Sequence, residues 1–456
     1  MNFAGLIFLL MAHYLCGCGI LQLFKIDLSP VAKTSLSLMT GVAALSFVPC
    51  ILQLLHIAIT LISVGAGIFI FAILAGIPMF LNFRKLSFGA VTWPAVYEWP
   101  FIIFISFLLC ISVWRCFYYP PTSRDMLTGP EMIAEYAVKE HTMINSVFTI
   151  DLQMTNNYFK SPYITGLQII YKLFVCPFGQ LWLSVLVVSF TCWLYTILRA
   201  LLHPIIAGIL LLSFIAIPDL FGYTYLILYD YSNMVFFFCG FYFLRRHLAG
   251  SRLNDLVLSA FLFGLATYIR TETVVLVGML LPLPAYHYYK RRLAFAKSVL
   301  RLGLFILVPV AFYLICINVF IKNFVPIPFV LKGQINPDLK NIPALFTRFS
   351  DINDQLLFSN ITLPVYGFFI YFFLLLLIAD VVWPRKFNKD ALVSLYGIAV
   401  VYTGLAFLGY MLPVVDIVNT TKRGLFKMLP VMLFYMGNSG LLLWLSGKIR
   451  QWTDNA

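Results

Sequence analysis

"WPFIIFISFLLCISVWRCFYYPPTSRDM" occupies residues 99–126. From Trp99 to Phe117 its only charge is Arg115; the chain then turns at Pro120-Pro121 and reaches Arg124 and Asp125. A run of about 20 apolar residues is long enough to cross a hydrocarbon core roughly 30 Å thick as a helix. A helix also satisfies every backbone N–H and C=O internally, which lipid demands. Working outward, the same pattern recurs near residues 3–24, 36–55, 59–81, 98–117, 177–198, 203–217, 222–244, 255–269, 273–289, 300–321, 363–383, 393–412 and 426–446. The expected fold is an all-α polytopic bundle of about 13 spans. Only 11% of residues are charged and 62% are hydrophobic, against about 25% charged in a soluble domain. The chain therefore reads as one membrane-embedded unit, residues 1–456. Within it we distinguish N-terminal helices (1–117), an outer loop with interfacial helices (118–176), central helices (177–321), a second outer loop (322–361) and C-terminal helices (362–456). The first apolar run, Phe3 to Phe24, lacks a basic leader and a small-residue cleavage site, so it is expected to be retained. The nine cysteines lie in or beside apolar runs, where cysteine acts as a small hydrophobe.

Charge orients the bundle, because Lys and Arg accumulate on the inner side. With loop 118–161 outside, 18 basic and six acidic residues fall inside, while 13 basic and 12 acidic fall outside. The excess is about +12 inside and +1 outside, so the basic pI of 9.3 is a topology signal. Basic residues spread over many short loops give no nucleic-acid footprint. This orientation puts both the N-terminus and the long loops outside and the C-terminus inside.

The first outer loop holds a dense acidic stretch, Asp125, Glu131, Glu135 and Glu140. Thr128-Gly-Pro-Glu131 has the spacing of a capping box, with Thr128 as N-cap and Pro130 in the first turn. Glu135 stands four residues before Lys139, the favourable order for a helical ion pair. Met132, Ile133, Tyr136 and Met143 recur at helical spacing, as on a helix lying in the interface plane. Asp125 precedes the capping box and has no such job. Two readings stay open: a turn aspartate paired with Arg124, and a carboxylate held at the membrane surface to accept a proton. His141 reads as a polar residue at headgroup level.

Further along, residues 156–182 read "NNYFKSPYITGLQIIYKLFVCPFGQLW". Asp125 opening the first large outer loop, an interfacial helix, and Lys160-Ser161-Pro162 before the next span together resemble the GT-C superfamily of membrane glycosyltransferases. Its bacterial aminoarabinose transferases and protein O-mannosyltransferases are the nearest in type. Ser161 stands where that family's Lys-Pro-Pro motif has proline, and four helices rather than one precede the loop. "ATYIRTETVVL" (266–276) resembles the family's Arg-acidic pair at an outer turn, and "NTTKRGLFKMLPVMLFY" (419–435) its Arg before a proline-containing last helix.

The resemblance implies transfer of a sugar from a polyprenyl-phosphate lipid to an acceptor hydroxyl on a glycan, lipid or protein, outside the cell membrane and, in bacteria, the inner membrane. Asp125 would be the general base. The leaving lipid phosphate needs cations, and Arg binds phosphate bidentately; Lys160, Arg270 and Arg423 are the candidates, with Lys422 beside them. Arg270 could instead simply pair with Glu272. Glu131, Asp219, Asp230 and Glu272 would line the substrate cavity, with Tyr225, Tyr229 and Tyr231 around Asp230. No Asp-x-Asp occurs in an outer loop, so no cofactor or tightly held metal is expected; one carboxylate leaves room for a weakly held divalent cation. Two rival functions use similar material. A lipid-linked glycan flippase or transporter places ionisable sites near the midplane, often in inverted repeats, and no internal repeat is visible here. An O-antigen-type polymerase or ligase would carry its large loop later in the chain.

The orientation is tested directly. A reporter fused after Lys340 is expected to be active only outside the cytoplasm; cytoplasmic activity would reverse the faces and remove the argument for an outer site.

Overall fold

The structure is a computed structural model describing residues 2–81, 93–150, 160–176, 179–324, 341–382, 388–411 and 421–454. It is 84% helical, with no strand among the described residues. Among the described residues seven helices are long and apolar enough to cross a membrane: Phe3–Leu23, Pro30–Leu54, Leu61–Pro78, Val96–Tyr118, Leu181–Leu201, Phe295–Phe324 and Lys389–Met411. An eighth crossing is available if Lys422–Gly437 and Gly440–Thr453, which meet at 51°, act as one broken span. Pro204–Ile215, Leu253–Ile269 and Phe369–Val382 are apolar but shorter. Four helices precede the acidic loop, and a helix Ile342–Asn353 forms in the second outer loop, longer than the short helix that the sequence suggests at Ala344–Phe349. Of the sequence expectations, Lys340, residues 156–159 and residues 419–420 lie outside the described residues.

Local chemistry sets several helix starts. Ser29 accepts a hydrogen bond from the Ala32 N–H at 3.4 Å ahead of Pro30 at the first helical position. His203 does the same for Ile205 ahead of Pro204, also at 3.4 Å. In lipid the tails are as apolar as the side chains, so helices associate by close packing, and small residues permit it. The N-terminal helices use this device. A Cβ on Gly17 would lie 1.7 Å from the Ser37 carbonyl oxygen, and one on Gly41 would lie 1.8 Å from that of His13. The central group rests on Tyr229–Gly250 lying against Leu253–Ile269, with Phe295–Leu314 on the latter's far side. Inside it, Ser259 Oγ donates to the Gly240 carbonyl at 2.7 Å and Asn233 Nδ2 to the Ala266 carbonyl at 2.6 Å.

The charges divide between two ends. Every described ion pair joins residues that the charge bias assigns to one face, and none joins the two faces. Tyr229–Gly250 shows the scale, with Asp230 at one end and Arg246 at the other. At 1.5 Å per residue their Cα atoms stand about 24 Å apart.

Gly41→Ala is expected to drive two helix backbones apart and cost about 1–3 kcal/mol. A Cβ on Gly278 would meet nothing within 4 Å, so Gly278→Ala should be neutral or stabilising by up to about 1 kcal/mol. Thermal unfolding of the purified variants reads both.

Candidate functional site

Asp125 sits in a first helical turn, Arg124–Met126, that runs into an irregular π-type turn at Leu127–Glu131. Pro130 breaks the hydrogen-bond ladder there, and Gly129 leaves helical geometry, with φ −116° and ψ −121°. The capping box expected at Thr128 does not form. Thr128 Oγ1 donates instead to the Arg124 carbonyl at 2.9 Å, because residues 124–126 are already helical and leave no free helix start at Thr128. Glu131, released from capping, turns inward. It accepts from Gln168 Nε2 at 2.7 Å and pairs with Lys172 at 2.5 Å, and Trp182 Nε1 donates to Gln168 Oε1 at 2.8 Å. Burial pushes the Glu131 carboxyl up, against the attraction of Lys172. Glu135 pairs with Lys139 at 3.2 Å, as its spacing suggested, and also reaches Lys172 at 3.0 Å. The apolar residues expected on one helix divide: in helix Met132–Glu140 Ile133 is buried and Tyr136 stays exposed, while Met143 is buried beyond its end. That helix packs on Tyr163–Phe174, so part of its apolar face is taken up by the fold.

Asp125 goes elsewhere. Its partner is Arg423 rather than Arg124, with Nη1 at 2.8 Å from Oδ2. This hydrogen bond and the charge of Arg423 hold the Asp125 carboxyl below the usual range, with help from Lys160 and Arg124 and against partial burial. Such a group contributes stability above its unfolded pKa and loses it as pH falls through the folded value.

Around this pair the structure gathers most of the residues singled out from sequence. Arg270 hydrogen-bonds Asp230 through Nη1 and pairs with Glu272 through Nε at 2.7 Å. Lys422 meets Asp219 at 3.1 Å. Lys160 Nζ lies 5.6 Å from the centre of the Tyr229 ring, whose hydroxyl donates to the Ser161 carbonyl at 2.9 Å. Burial lowers the Lys160 amine to about 8; the repulsion of Arg270 adds to this, while Asp230 and Asp125 oppose it. Glu131 alone among the candidates belongs to a separate cluster, the one with Gln168 and Lys172. A cleft opens beside Lys160 and Ser161 and runs between Ile133, Met143, Phe148, Phe320 and Phe324. It is polar at the Lys160 end and apolar along the rest.

Sequence reasoning missed three cations. Lys427, with a side chain only 2% exposed, lies 3.8 Å from Glu272. It stands four residues after Arg423, so the helical spacing of Lys422-Arg423-x-x-x-Lys427 was a usable signal. Arg348 donates to Thr421 Oγ1 at 3.0 Å and packs on Gly409. Lys172 lies in the last turn of Tyr163–Phe174 and was not singled out from the sequence. Among the described residues no three His, Cys, Asp or Glu side chains converge. Comparison with known proteins gives no matching family model, no similar curated protein and no similar solved structure.

The arrangement has clear chemical capacities. Five cations (Lys160, Arg270, Lys422, Arg423 and Lys427) face four carboxylates (Asp125, Asp219, Asp230 and Glu272). Asp125 is ionised at neutral pH and its side chain is 43% exposed, so it can take a hydrogen bond from a hydroxyl. Arg270 has a structural duty as well, because Asp230 is buried against it. Arg270→Ala would strand a buried carboxylate and so is expected to cost the fold stability.

The Glu131 cluster yields a stability test. Among the described residues Glu131 and Glu135 are the charged partners of buried Lys172, and Glu131→Gln, which removes one of them, is expected to cost about 2 kcal/mol. Glu135→Gln, at a half-exposed position, should cost less than about 1 kcal/mol. Unfolding of the two variants side by side checks the order.

Proposed function

We propose that this chain is an integral membrane glycosyltransferase of the GT-C type, built on about 13 spans. It would transfer a sugar from a polyprenyl-phosphate donor to an acceptor hydroxyl on the extracytoplasmic side of the cell membrane. The observation that carries the reading is the Asp125–Arg423 pair, which joins positions 298 apart in the chain. It pairs the one carboxylate without a local job with one of the cations suited to a phosphate. Lys160, at the polar end of a small and otherwise apolar cleft, suits a phosphate carried on an apolar chain.

The proposed mechanism uses these groups in turn. The donor phosphate binds Arg423 and Lys160, with Arg270 and Lys427 behind them. Arg423 then shares its hydrogen bonds with the phosphate, and Asp125 regains basicity. The acceptor hydroxyl hydrogen-bonds to Asp125 and attacks the anomeric carbon. Its proton passes to the carboxylate as the bond to the phosphate oxygen breaks, and the cations hold the charge that develops on the leaving phosphate. No step calls for a cofactor, and a weakly held divalent cation would add to the same cationic field.

Asp125→Asn keeps size and hydrogen-bonding capacity but cannot take the proton. It is expected to fold, insert and bind donor, and to transfer sugar about 10²–10⁴-fold more slowly. Radiolabelled transfer from a polyprenyl-phosphate sugar, run beside a liposome assay of lipid movement, reads this. Full transfer by the variant would end the proposed mechanism, and lipid movement without transfer would favour a flippase. Donor binding should also take up protons above pH 8, because an anion beside Lys160 restores the charge that burial suppresses.

A further inference from the structure

A second charged cluster lies at the opposite end of the bundle from Asp125 and takes no part in that site. Helices Thr273–Leu280 and Pro282–Lys290 run from Glu272 to a turn that leads into Phe295–Leu314. On and beside the turn stand Lys290, Arg291, Arg292, Lys297 and Arg301, and no Asp or Glu occurs in the sequence between Glu272 and Asp338. Among the described residues none of these five cations forms an ion pair with a carboxylate. The neighbouring cations differ: Arg245 is paired with Asp390, and Arg246 with Asp255 at 3.5 Å.

The turn is firmly built. His247 Nε2 hydrogen-bonds the Tyr288 hydroxyl at 2.8 Å, and His287 Nε2 bonds Ser251 Oγ at 2.9 Å, tying the turn to the end of Tyr229–Gly250. Arg292 adopts a left-handed φ of 51°, and Arg301 lies 5.8 Å from the Tyr288 ring centre. Large apolar side chains stand exposed beside the cations: Tyr289 is 83% exposed, Phe295 84% and Leu300 71%.

We propose that this turn binds the headgroup of an anionic phospholipid in the leaflet opposite the Asp125 site. The cations meet the phosphate, Arg291 and Arg301 through their guanidinium forks, while Tyr289, Phe295 and Leu300 rest at the acyl boundary. Charge complementarity selects the occupant. Unpaired Lys and Arg at the end of a membrane helix attract anionic headgroups, and a purely zwitterionic surface offers no matching net charge. The adjoining apolar side chains favour a lipid over a free anion, which would use the cations and leave these side chains in water.

The test uses the full-length chain in detergent and counts retained lipid by native mass spectrometry. Phosphatidylglycerol is compared with phosphatidylcholine, with inorganic phosphate added as competitor. Wild type is expected to retain phosphatidylglycerol selectively, and millimolar phosphate should fail to displace it. The triple variant Arg291→Gln, Lys297→Gln, Arg301→Gln should bind on the order of a hundredfold more weakly. A control variant, Lys448→Gln with Arg450→Gln on the last helix, should bind as wild type. Should the triple variant not fold, the single exposed change Lys297→Gln should still weaken binding about fivefold. Equal retention of the two lipids, displacement by phosphate, or equal effects of the turn and control variants would overturn the proposal. The readout involves no sugar donor, so it is independent of the transfer reaction.

Discussion

An arginine cannot shed its proton, so a fold that buries one must bring carboxylates to it. Arg270 follows the last residue of Leu253–Ile269 and is met by Asp230 from the start of Tyr229–Gly250 and by Glu272 before the next helix. Three helix ends are thereby fixed to one point, and Lys427 brings the C-terminal part of the chain to the same carboxylate. A carboxylate such as Asp230 could not sit buried without this partner, since removing either member would leave a charge with no compensation. The rest of the charged end is arranged around that knot.

The Asp125–Arg423 pair sits at the rim of the same assembly under a different constraint. Both side chains keep part of their surface open, Asp125 the more so, whereas Asp230 in the Arg270 knot is buried. The local structure of the acidic stretch makes this division possible. The irregular turn at 127–131 separates Asp125 from Glu131, sending one toward Arg423 and the other into the fold with Lys172. One short sequence thus supplies an accessible carboxylate and a buried structural brace. Glu131 also shows why a favourable spacing does not decide a role: the capping box depends on a helix starting at Thr128, and the chain starts helical at Arg124 instead.

The two ends of the bundle solve the same electrostatic problem in opposite ways. At the Asp125 end, carboxylates and cations neutralise one another within the protein. Across the membrane thickness Arg245 and Arg246 are also paired, but among the described residues the cations of the 290–301 turn form no ion pair with a carboxylate, and tyrosine and histidine hydrogen bonds hold the turn in place.

Composition and apolar run length determined by themselves that this chain is a helical membrane protein, because lipid allows few other ways to satisfy a backbone. The spread of Lys and Arg also separated the charges into two sets, which the fold keeps apart. Asp125, Lys160, Asp219, Asp230, Arg270, Glu272 and Arg423 could be picked out because charges are rare in so apolar a chain. Their partners could not. Asp125 meets Arg423 across 298 positions, Arg270 gains Asp230 in addition to its neighbour Glu272, and Lys172 joins a cluster that local spacing gives no reason to expect. Local rules act over three or four residues, so they found the Glu135–Lys139 pair and proposed the capping box that did not form. A carboxylate's pairing is decided by which cation the packed helices deliver to it, and only the tertiary structure makes that delivery.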